Sequence, residues 1–310
     1  MKTPSTLRVH GVNALIAVLF SINYIVSKMA MTSFQPLTFA YLRVLGSAIV
    51  MALILPRGQR LAPADRKKIV LFGVLAVVIN QSFFLAGLAF TSAHVAAILI
   101  TTIPVFALAT AIVLGRERAT ATKIGGIALA AAGALLVVGR EGFFGGTRNS
   151  LLGDLLIVGN CLAYAIYLVV SKPTMQRLSP AHVVTRMFAA ASVLMLPVAG
   201  WSLAHEHWAA IPPRAWLGLA VVIAGPTVAA YLLSGWALRH ADSSLVAAYS
   251  YLQPVVTVIL AAMFLGESIE APALVAAAMI ISGVWISGRP APPEASEVVP
   301  HLQPDGDDDQ

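Results

Sequence analysis

Apolar residues dominate the chain in ten long runs that are separated by short polar breaks. A helix of about 20 such residues is long enough to cross roughly 30 Å of hydrocarbon. Each run is predicted to be a helix, because lipid offers an open backbone no hydrogen-bond partners. The predicted helices, numbered one to ten, cover residues 10–29, 36–56, 68–90, 94–115, 120–139, 151–171, 180–203, 214–236, 243–265 and 270–288. The prediction is therefore an all-α integral membrane protein.

Composition agrees with a lipid environment. Of the 310 residues, 58% are hydrophobic and only 11% are charged, whereas a soluble domain carries about 25% charged residues. A water-soluble fold of this length cannot hide that much apolar surface, so the lipid bilayer is an expected partner. The formal charge of +6 indicates basic cytoplasmic loops, since no arginine-rich arm or zinc pattern points to nucleic acid.

Lysine and arginine are distributed unevenly between the two predicted membrane faces. With the N-terminus inside, 14 of the 20 basic residues fall on the cytoplasmic side, 4 fall outside, and Arg43 and Arg186 fall within helices. This bias follows the positive-inside rule. It predicts cytoplasmic N- and C-termini for a multi-pass protein of the cell inner (plasma) membrane.

One motif occurs twice along the chain. Each copy has a proline, a glutamate 13 residues later and a glycine 16 residues after that: Pro104, Glu117 and Gly133, then Pro254, Glu267 and Gly283. The first helix of each half also ends in Ser-Lys, at Lys28 and Lys172. Such self-similarity indicates two equivalent halves.

The repeat predicts the domain organisation. Five helices is an odd number, so the second half should enter the membrane from the opposite side, as in inverted repeats. Residues 1–140 and 150–288 are predicted to be these two five-helix repeats. Residues 289–310, rich in proline and aspartate, are predicted to be a disordered cytoplasmic tail, because they lack the apolar residues of a core.

Catalytic motifs are missing from the sequence. It contains no H-E-x-x-H, G-x-S-x-G or phosphate-binding loop, and its seven histidines are scattered. We therefore expect no enzyme activity, catalytic residue, cofactor or metal site. No Asp or Glu lies at the centre of a predicted helix, and proton-driven transporters commonly use such a carboxylate. Passage down a gradient, without proton coupling, is the expectation.

Polar and aromatic side chains inside the helices are the candidates for a solute site, because each is costly in lipid unless it faces a partner or a cavity. Hydrogen bonding between helices is the alternative explanation for them. The face formed by positions 160, 164 and 167 stands out, with three such residues at helical spacing. The candidates are Asn23, Tyr24, Asn80, Gln81, Phe84, Thr101, Thr102, Asn160, Tyr164, Tyr167, Tyr231, Tyr249, Tyr251 and Gln253.

Four further residues are candidates for a hinge or gate. Pro104 and Pro254 each remove a helical hydrogen bond at mid-membrane, which permits bending, although filling of space is an alternative role. Lys28 lies at a helix end and can reach the interface. Arg43 lies within a span, where it should find a carbonyl oxygen or a solute carboxylate.

The duplicated motif, the paired Ser-Lys and the ten-helix count resemble the drug/metabolite transporter superfamily, and within it the EamA-domain family of bacterial amino-acid exporters, including the aromatic amino acid exporter branch. The resemblance covers about residues 10–288, so each predicted repeat would be EamA-like. It implies that helices one to four and six to nine surround a central cavity, with helices five and ten outside. Arg116 is an insertion in the first motif, and Ile103 replaces a residue that the second copy keeps polar, Gln253.

The expected function is export of amino acids or related small metabolites through a central cavity, by alternating access and facilitated diffusion. A multidrug or quaternary-amine efflux transporter is the alternative, followed by a membrane protein that transports nothing. The expected partners are a small-molecule solute and the lipid bilayer, with no nucleic acid. The chain is expected to act as a monomer or a homodimer.

Overall fold

A computed structural model describes residues 6–55, 61–116, 120–143, 148–241, 243–266 and 271–287. Within these ranges all the regular structure is helical. The helices are α1 (Thr6–Ala30), α2 (Pro36–Ile54), α3 (Pro63–Phe90), α4 (Ala93–Ile100 and Ile103–Val113), α5 (Ala121–Phe143), α6 (Arg148–Arg177), α7 (Pro180–Ala204), α8 (Pro213–His240), α9 (Ser243–Ala248 and Leu252–Leu265) and α10 (Ala271–Ser287). The predictions for Glu117, Glu267 and the 289–310 tail lie outside the described residues.

Eight of these helices are long and apolar enough to cross a membrane, namely α1 to α4 and α6 to α9. The other two, α5 and α10, contain shorter apolar stretches at Ala121–Gly133 and Leu274–Gly283. The protein is therefore a multi-pass membrane protein. Ten crossings and the side on which each terminus lies stay predictions.

Proline begins two helices in each half of the chain. Pro36, Pro63, Pro180 and Pro213 open α2, α3, α7 and α8 respectively. A proline suits the first helical turn because the backbone N–H that it lacks would have no helical acceptor there. A proline therefore marks the start of the corresponding helices in both halves.

Helices α4 and α9 are broken where the sequence analysis predicted continuous spans. In α4 the break is a turn at Thr101 and Thr102, immediately before Pro104. In α9 it is a 3₁₀ turn over Tyr249–Tyr251, immediately before Pro254. Proline cannot donate to the carbonyl four residues earlier and its ring crowds that carbonyl, so the α-helical ladder stops in both places.

Glycine ends both broken helices in the left-handed conformation. Gly115 has φ +66° after α4, and Gly266 has φ +67° after α9. A side chain is strained at such angles, so glycine is the residue that can cap these two helices. Leu-Gly occurs at both places, as Leu114-Gly115 and Leu265-Gly266, and marks a helix terminus in each half.

The repeated glycines of α5 and α10 lie where these two helices cross. A Cβ at Gly133 would stand 2.9 Å from the backbone oxygen of Ala276, and one at Gly283 would stand 2.5 Å from that of Gly126. Each glycine lets the opposite helix approach at backbone distance. The small-residue faces of α5 and α10 are therefore used against each other within one chain.

Short π-helical segments interrupt α3 and α8 at corresponding places. They cover Val74–Ile79 and Ile223–Ala229. Pro226 lies inside the second segment and accounts for part of its irregularity, whereas the first has no proline. Such insertions are uncommon and frequently lie at functional sites. Each segment ends within two residues of a predicted solute-site residue, Asn80 for the first and Tyr231 for the second.

Candidate functional site

A central cavity lies between α1, α2, α3, α4, α6, α8 and α9. Helices of both halves therefore form its wall, and α5 and α10 contribute no lining residue. Helix α7 is also absent from the wall but supports it from behind, because the Phe188 ring packs edge-on against Tyr231 with centroids 5.0 Å apart.

Most of the predicted solute-site residues line this cavity. They are Asn23, Tyr24, Asn80, Gln81, Phe84, Asn160, Tyr164, Tyr231, Tyr249 and Gln253, and the predicted gate residue Arg43 joins them. The helices bring these residues together from positions more than 200 residues apart in the chain. Whether a solute contacts them stays a prediction.

A hydrogen-bonded network crosses the cavity wall between α3, α6 and α8. Asn80 Nδ2 donates to Asn160 Oδ1 at 3.0 Å, and Gln81 Nε2 donates to the Tyr231 hydroxyl at 2.7 Å. That hydroxyl lies 2.9 Å from the Ala76 carbonyl oxygen and 3.1 Å from Asn80 Oδ1. The network joins one helix of the N-terminal half to two helices of the C-terminal half through neutral groups.

A second set of hydrogen bonds joins α1 to α9. The Tyr24 hydroxyl lies 3.3 Å from Gln253 Oε1, and Ser21 Oγ lies 3.2 Å from the Gln253 carbonyl oxygen. Nearer the start of α1, His10 Nδ1 and the Tyr249 hydroxyl are 2.6 Å apart. These hydrogen bonds connect α1 of the N-terminal half to α9, the broken helix of the C-terminal half.

Aromatic rings form much of the remaining wall. Phe20 packs edge-on against Tyr164 and Tyr231, with centroids 6.5 and 6.1 Å apart. Tyr24 and Phe84 form another edge-on pair at 5.2 Å. Edge-to-face packing holds these rings in defined orientations, so the cavity offers flat apolar surfaces beside its polar groups.

Four predicted solute-site residues do not line the cavity. Thr101 and Thr102 are buried, and their hydroxyls donate to the carbonyls of Ile98 and Leu99 at the break in α4. Tyr167 is buried between Tyr164 and Phe72, with centroids 5.7 and 6.1 Å away. Tyr251 lies in the 3₁₀ turn of α9. They shape the backbone or pack behind the wall.

The predicted hinge prolines lie next to the cavity without lining it. Residues four positions earlier do line it, Ile100 before Pro104 and Ser250 before Pro254. Proline has no N–H to offer the carbonyls at these two positions. In each half, then, the broken helix places residues next to its break at the cavity, and the substrate sites of other repeat transporters also lie at discontinuous helices.

Lys28 lies away from the cavity, at the end of α1. Its ammonium donates to the Thr91 carbonyl, while Thr91 Oγ1 donates to Asp154 Oδ1 at 2.7 Å. At the end of α6, Arg177 forms a two-armed ion pair with Asp65 at the start of α3. Both clusters connect the two halves at opposite ends of α6, beyond the cavity.

Several lining residues were missed by the sequence analysis. They are Ile16, Ala17, Phe20, Ile100, Ile103, Leu168, Ser234, Val246, Ala247 and Ser250. Most are apolar, and an apolar side chain looks the same in a sequence whether it faces lipid or a cavity. Ser234 and Ser250 gave a usable signal, because each is polar and within three residues of a predicted tyrosine.

Charge in the cavity is one-sided. Arg43 is charged, and none of the lining residues is acidic. In the part of the chain that the structure describes, no cluster of three or more His, Cys, Asp or Glu side chains could hold a metal ion. The wall offers neutral donors and acceptors, rings and one guanidinium, which suits reversible binding of a small polar or zwitterionic molecule.

Comparison with known sequences identifies a family. The sequence model of the EamA-like transporter family matches residues 12–139 and again residues 151–289. The resemblance drawn from the duplicated motif is therefore confirmed. An uncharacterized transporter of Archaeoglobus fulgidus is 26% identical over 90% of this chain and 97% of its own length.

Two bacterial relatives carry more specific names. A probable terminal-alkyne amino-acid exporter of Streptantibioticus cattleyicolor is 28% identical over 76% of this chain and 77% of its own. A probable amino-acid metabolite efflux pump of Salmonella typhimurium is 25% identical over 88% of this chain and 92% of its own. A solved crystal structure shares the fold, with a TM-score of 0.64 and 19% identity over 92% of this chain and 97% of that one.

Proposed function

This chain belongs to the EamA-like transporter family, and we propose that it exports amino acids or related small metabolites through the central cavity. The observation that carries the proposal is a wall built by both halves from neutral hydrogen-bonding groups and aromatic rings, with no acidic side chain. The names of the two amino-acid relatives agree with this choice.

The proposed topology has ten crossings in two inverted five-helix repeats, with both termini cytoplasmic in the inner membrane. The two family matches, at 12–139 and 151–289, support the division into halves. Paired features support the equivalence of the halves: the helix breaks before Pro104 and Pro254, and the left-handed glycines Gly115 and Gly266. The lining residues all come from one chain, which supports a single chain as the transporting unit, in a monomer or a homodimer.

Alternating access is the proposed mechanism. In the proposed topology α1 ends outside and α6 ends inside, which places the Lys28–Thr91–Asp154 cluster at the outer end and the Arg177–Asp65 ion pair at the inner end. We propose that these contacts are the two closures. A solute that crosses the membrane requires each closure to open in turn. The broken helices α4 and α9 supply the flexible points beside the cavity.

Facilitated diffusion is proposed as the energetic mode. A proton-coupled transporter needs a titrating group that meets both the proton and the solute, and an intramembrane carboxylate commonly serves. None of the residues that line the cavity is acidic. Transport should therefore follow the solute gradient alone.

A counterflow screen in liposomes tests the function. Purified full-length protein is reconstituted, the liposomes are loaded with each amino acid in turn, and uptake of the same radiolabelled amino acid is followed. We expect uptake above that of protein-free liposomes for at least one amino acid. A lipophilic quaternary cation, tetraphenylphosphonium, is run in parallel. Uptake of the cation alone would favour the efflux alternative, and uptake of neither would refute both.

An imposed pH gradient tests the energetic mode in the same liposomes. With the solute at equal concentration on both sides, we expect no net accumulation whether the gradient is present or absent. Accumulation that requires the gradient, and that a protonophore abolishes, would show proton coupling and overturn this part of the proposal.

A further inference from the structure

Arg43 is a buried cation on the wall of the central cavity. It lies in the middle of α2, its side chain is 1% exposed, and it lines the cavity. Arg186, which follows the equivalent proline of the other half, is only half-buried and does not line the cavity. The two halves therefore place this arginine differently, and only Arg43 of the N-terminal half lines the cavity.

The π-helical segment of α8 holds the Arg43 side chain. Arg43 Nε donates to Thr227 Oγ1 at 2.6 Å, and Thr227 Oγ1 donates in turn to the Val222 carbonyl at 2.8 Å, five residues back. The hydroxyl proton is used on Val222, so the oxygen is free to accept from the guanidinium. An irregular turn of one half thus fixes the orientation of an arginine from the other.

One terminal nitrogen of the Arg43 guanidinium lacks a protein partner. Arg43 Nη1 is buried and has no hydrogen-bond partner, and no carboxylate of the described residues forms an ion pair with Arg43. A guanidinium does not deprotonate under ordinary conditions. A buried charge without a counter-charge is costly in a low-dielectric site, so its position is best explained by an anion that arrives from the cavity.

We propose that Arg43 binds the carboxylate of the transported solute and thereby selects against amines that lack one. This inference rests on the proposed function and specifies its substrate class. A planar guanidinium held at Nε still presents its terminal nitrogens to a carboxylate. Solutes with a free carboxylate should bind more tightly than their amides and decarboxylated amines.

Gln81 supplies the complementary acceptor. Its Nε2 is used by Tyr231, but its Oε1 is buried and has no hydrogen-bond partner. Both Gln81 and Arg43 line the same cavity, so one solute can offer a carboxylate to the arginine and an ammonium to the amide oxygen. The rings of Phe20 and Phe84 then face the solute side chain. This is the pattern of an α-amino acid with an apolar or aromatic side chain.

A purely structural role is the competing explanation. Arg43 also ties α2 to α8 through Thr227, and that bond alone could justify its presence. A structural role predicts that removal of Arg43 lowers stability and lowers binding of every solute by the same factor. A carboxylate-binding role predicts that affinity is lost only for solutes that carry the carboxylate. The ratio of the affinity for an acid to the affinity for its amide therefore distinguishes the two roles.

The test compares phenylalanine with phenylalaninamide, which differs only at the carboxylate. Dissociation constants are measured by the shift in thermal unfolding of the full-length protein in detergent, and counterflow rates are measured in liposomes. Wild-type protein should prefer phenylalanine by about tenfold to a hundredfold, the usual worth of a charge-assisted hydrogen bond. Arg43→Gln should bring that ratio close to one, chiefly because phenylalanine binds more weakly. Arg43→Lys should retain part of the wild-type preference for phenylalanine. Arg186→Gln is the matched control and should keep the wild-type ratio.

Each outcome decides the matter. Equal binding of acid and amide by wild-type protein, or an equal loss of both in Arg43→Gln, would overturn the carboxylate assignment while leaving amino-acid transport intact. If wild-type protein neither binds nor transports either compound, and transports no amino acid in the counterflow screen, both the proposed function and this inference are refuted. If Arg43→Gln failed to fold, the ratio in Arg43→Lys would still distinguish the two roles.

Discussion

Single glycine-to-alanine substitutions where α5 and α10 cross should destabilise the protein. In Gly283→Ala the new Cβ would lie 2.5 Å from the Gly126 carbonyl oxygen, 2.6 Å from the Ala130 backbone nitrogen and 2.9 Å from the Ala130 Cβ. Two of these three atoms belong to the backbone, so no side-chain rotation relieves the contact. Gly125→Ala is the matched control, because a Cβ there meets nothing within 4 Å.

The expected cost follows from the distances. An ordinary C···O contact is about 3.3 Å or more, so the two helices must separate locally by roughly 0.8 Å relative to the 2.5 Å contact at Gly283. A gap of about 0.5–1 Å forfeits roughly a quarter to a half of each dispersion contact along the crossing. Overpacking of this kind destabilises by about 1–3 kcal/mol. Gly125→Ala should be neutral or stabilising by up to about 1 kcal/mol.

The assay is unfolding of the purified protein in mixed micelles by titration with a denaturing detergent, followed by circular dichroism. Gly283→Ala should unfold at a lower detergent fraction than wild type. Gly133→Ala should do the same, because its Cβ would meet Ala276 and Met279 at 2.9 Å. The double variant should lose less than the sum of both, since one opened crossing accommodates the second methyl. Equal unfolding of Gly283→Ala and Gly125→Ala would refute the packing argument.

Two other substitutions test the cavity and the hinge. Tyr231→Phe removes the hydroxyl that accepts from Gln81 Nε2. We therefore expect a loss of about 1–2 kcal/mol in unfolding free energy and weaker solute binding. Unchanged values in both measurements would show that the network is dispensable. Pro254→Ala restores an N–H opposite the carbonyl of Ser250 and should straighten α9, which should slow counterflow several-fold while the solute dissociation constant stays unchanged. Pro36→Ala, at the first turn of α2, is the control for the hinge and should transport at the wild-type rate.

Polar side chains inside apolar runs were the most informative part of the sequence. Asn80, Gln81 and Asn160 could be selected because lipid cannot satisfy an amide, and the structure brings all three to the cavity wall. Gly115 and Gly266 occur at equivalent places in the two halves of the sequence, and both adopt positive φ at a helix end. In both cases a local physical penalty restricts what the residue can do.

Other features depend on packing that sequence spacing does not reveal. Tyr167 shares a helical face with Asn160 and Tyr164, yet it is buried, and its ring packs edge-on against Phe72 of α3. Phe20 lines the cavity although nothing distinguishes it from a lipid-facing ring. The π-helical segment Val74–Ile79 contains only aliphatic residues and no proline, so nothing in its sequence distinguishes it from an ordinary α-helix.

Alternating exposure of one cavity between two halves is the central claim, and a cysteine placed at Ser234 tests it most directly. Ser234 lines the cavity, and Cys161, the sole natural cysteine, is fully buried and can be changed to alanine. Ser234→Cys in that background is treated with a membrane-impermeant thiol reagent in right-side-out and in inside-out vesicles. We predict modification from both sides, loss of counterflow, and slower modification when phenylalanine is present. Modification from one side only, or modification that leaves counterflow and its solute dependence unchanged, would contradict the account.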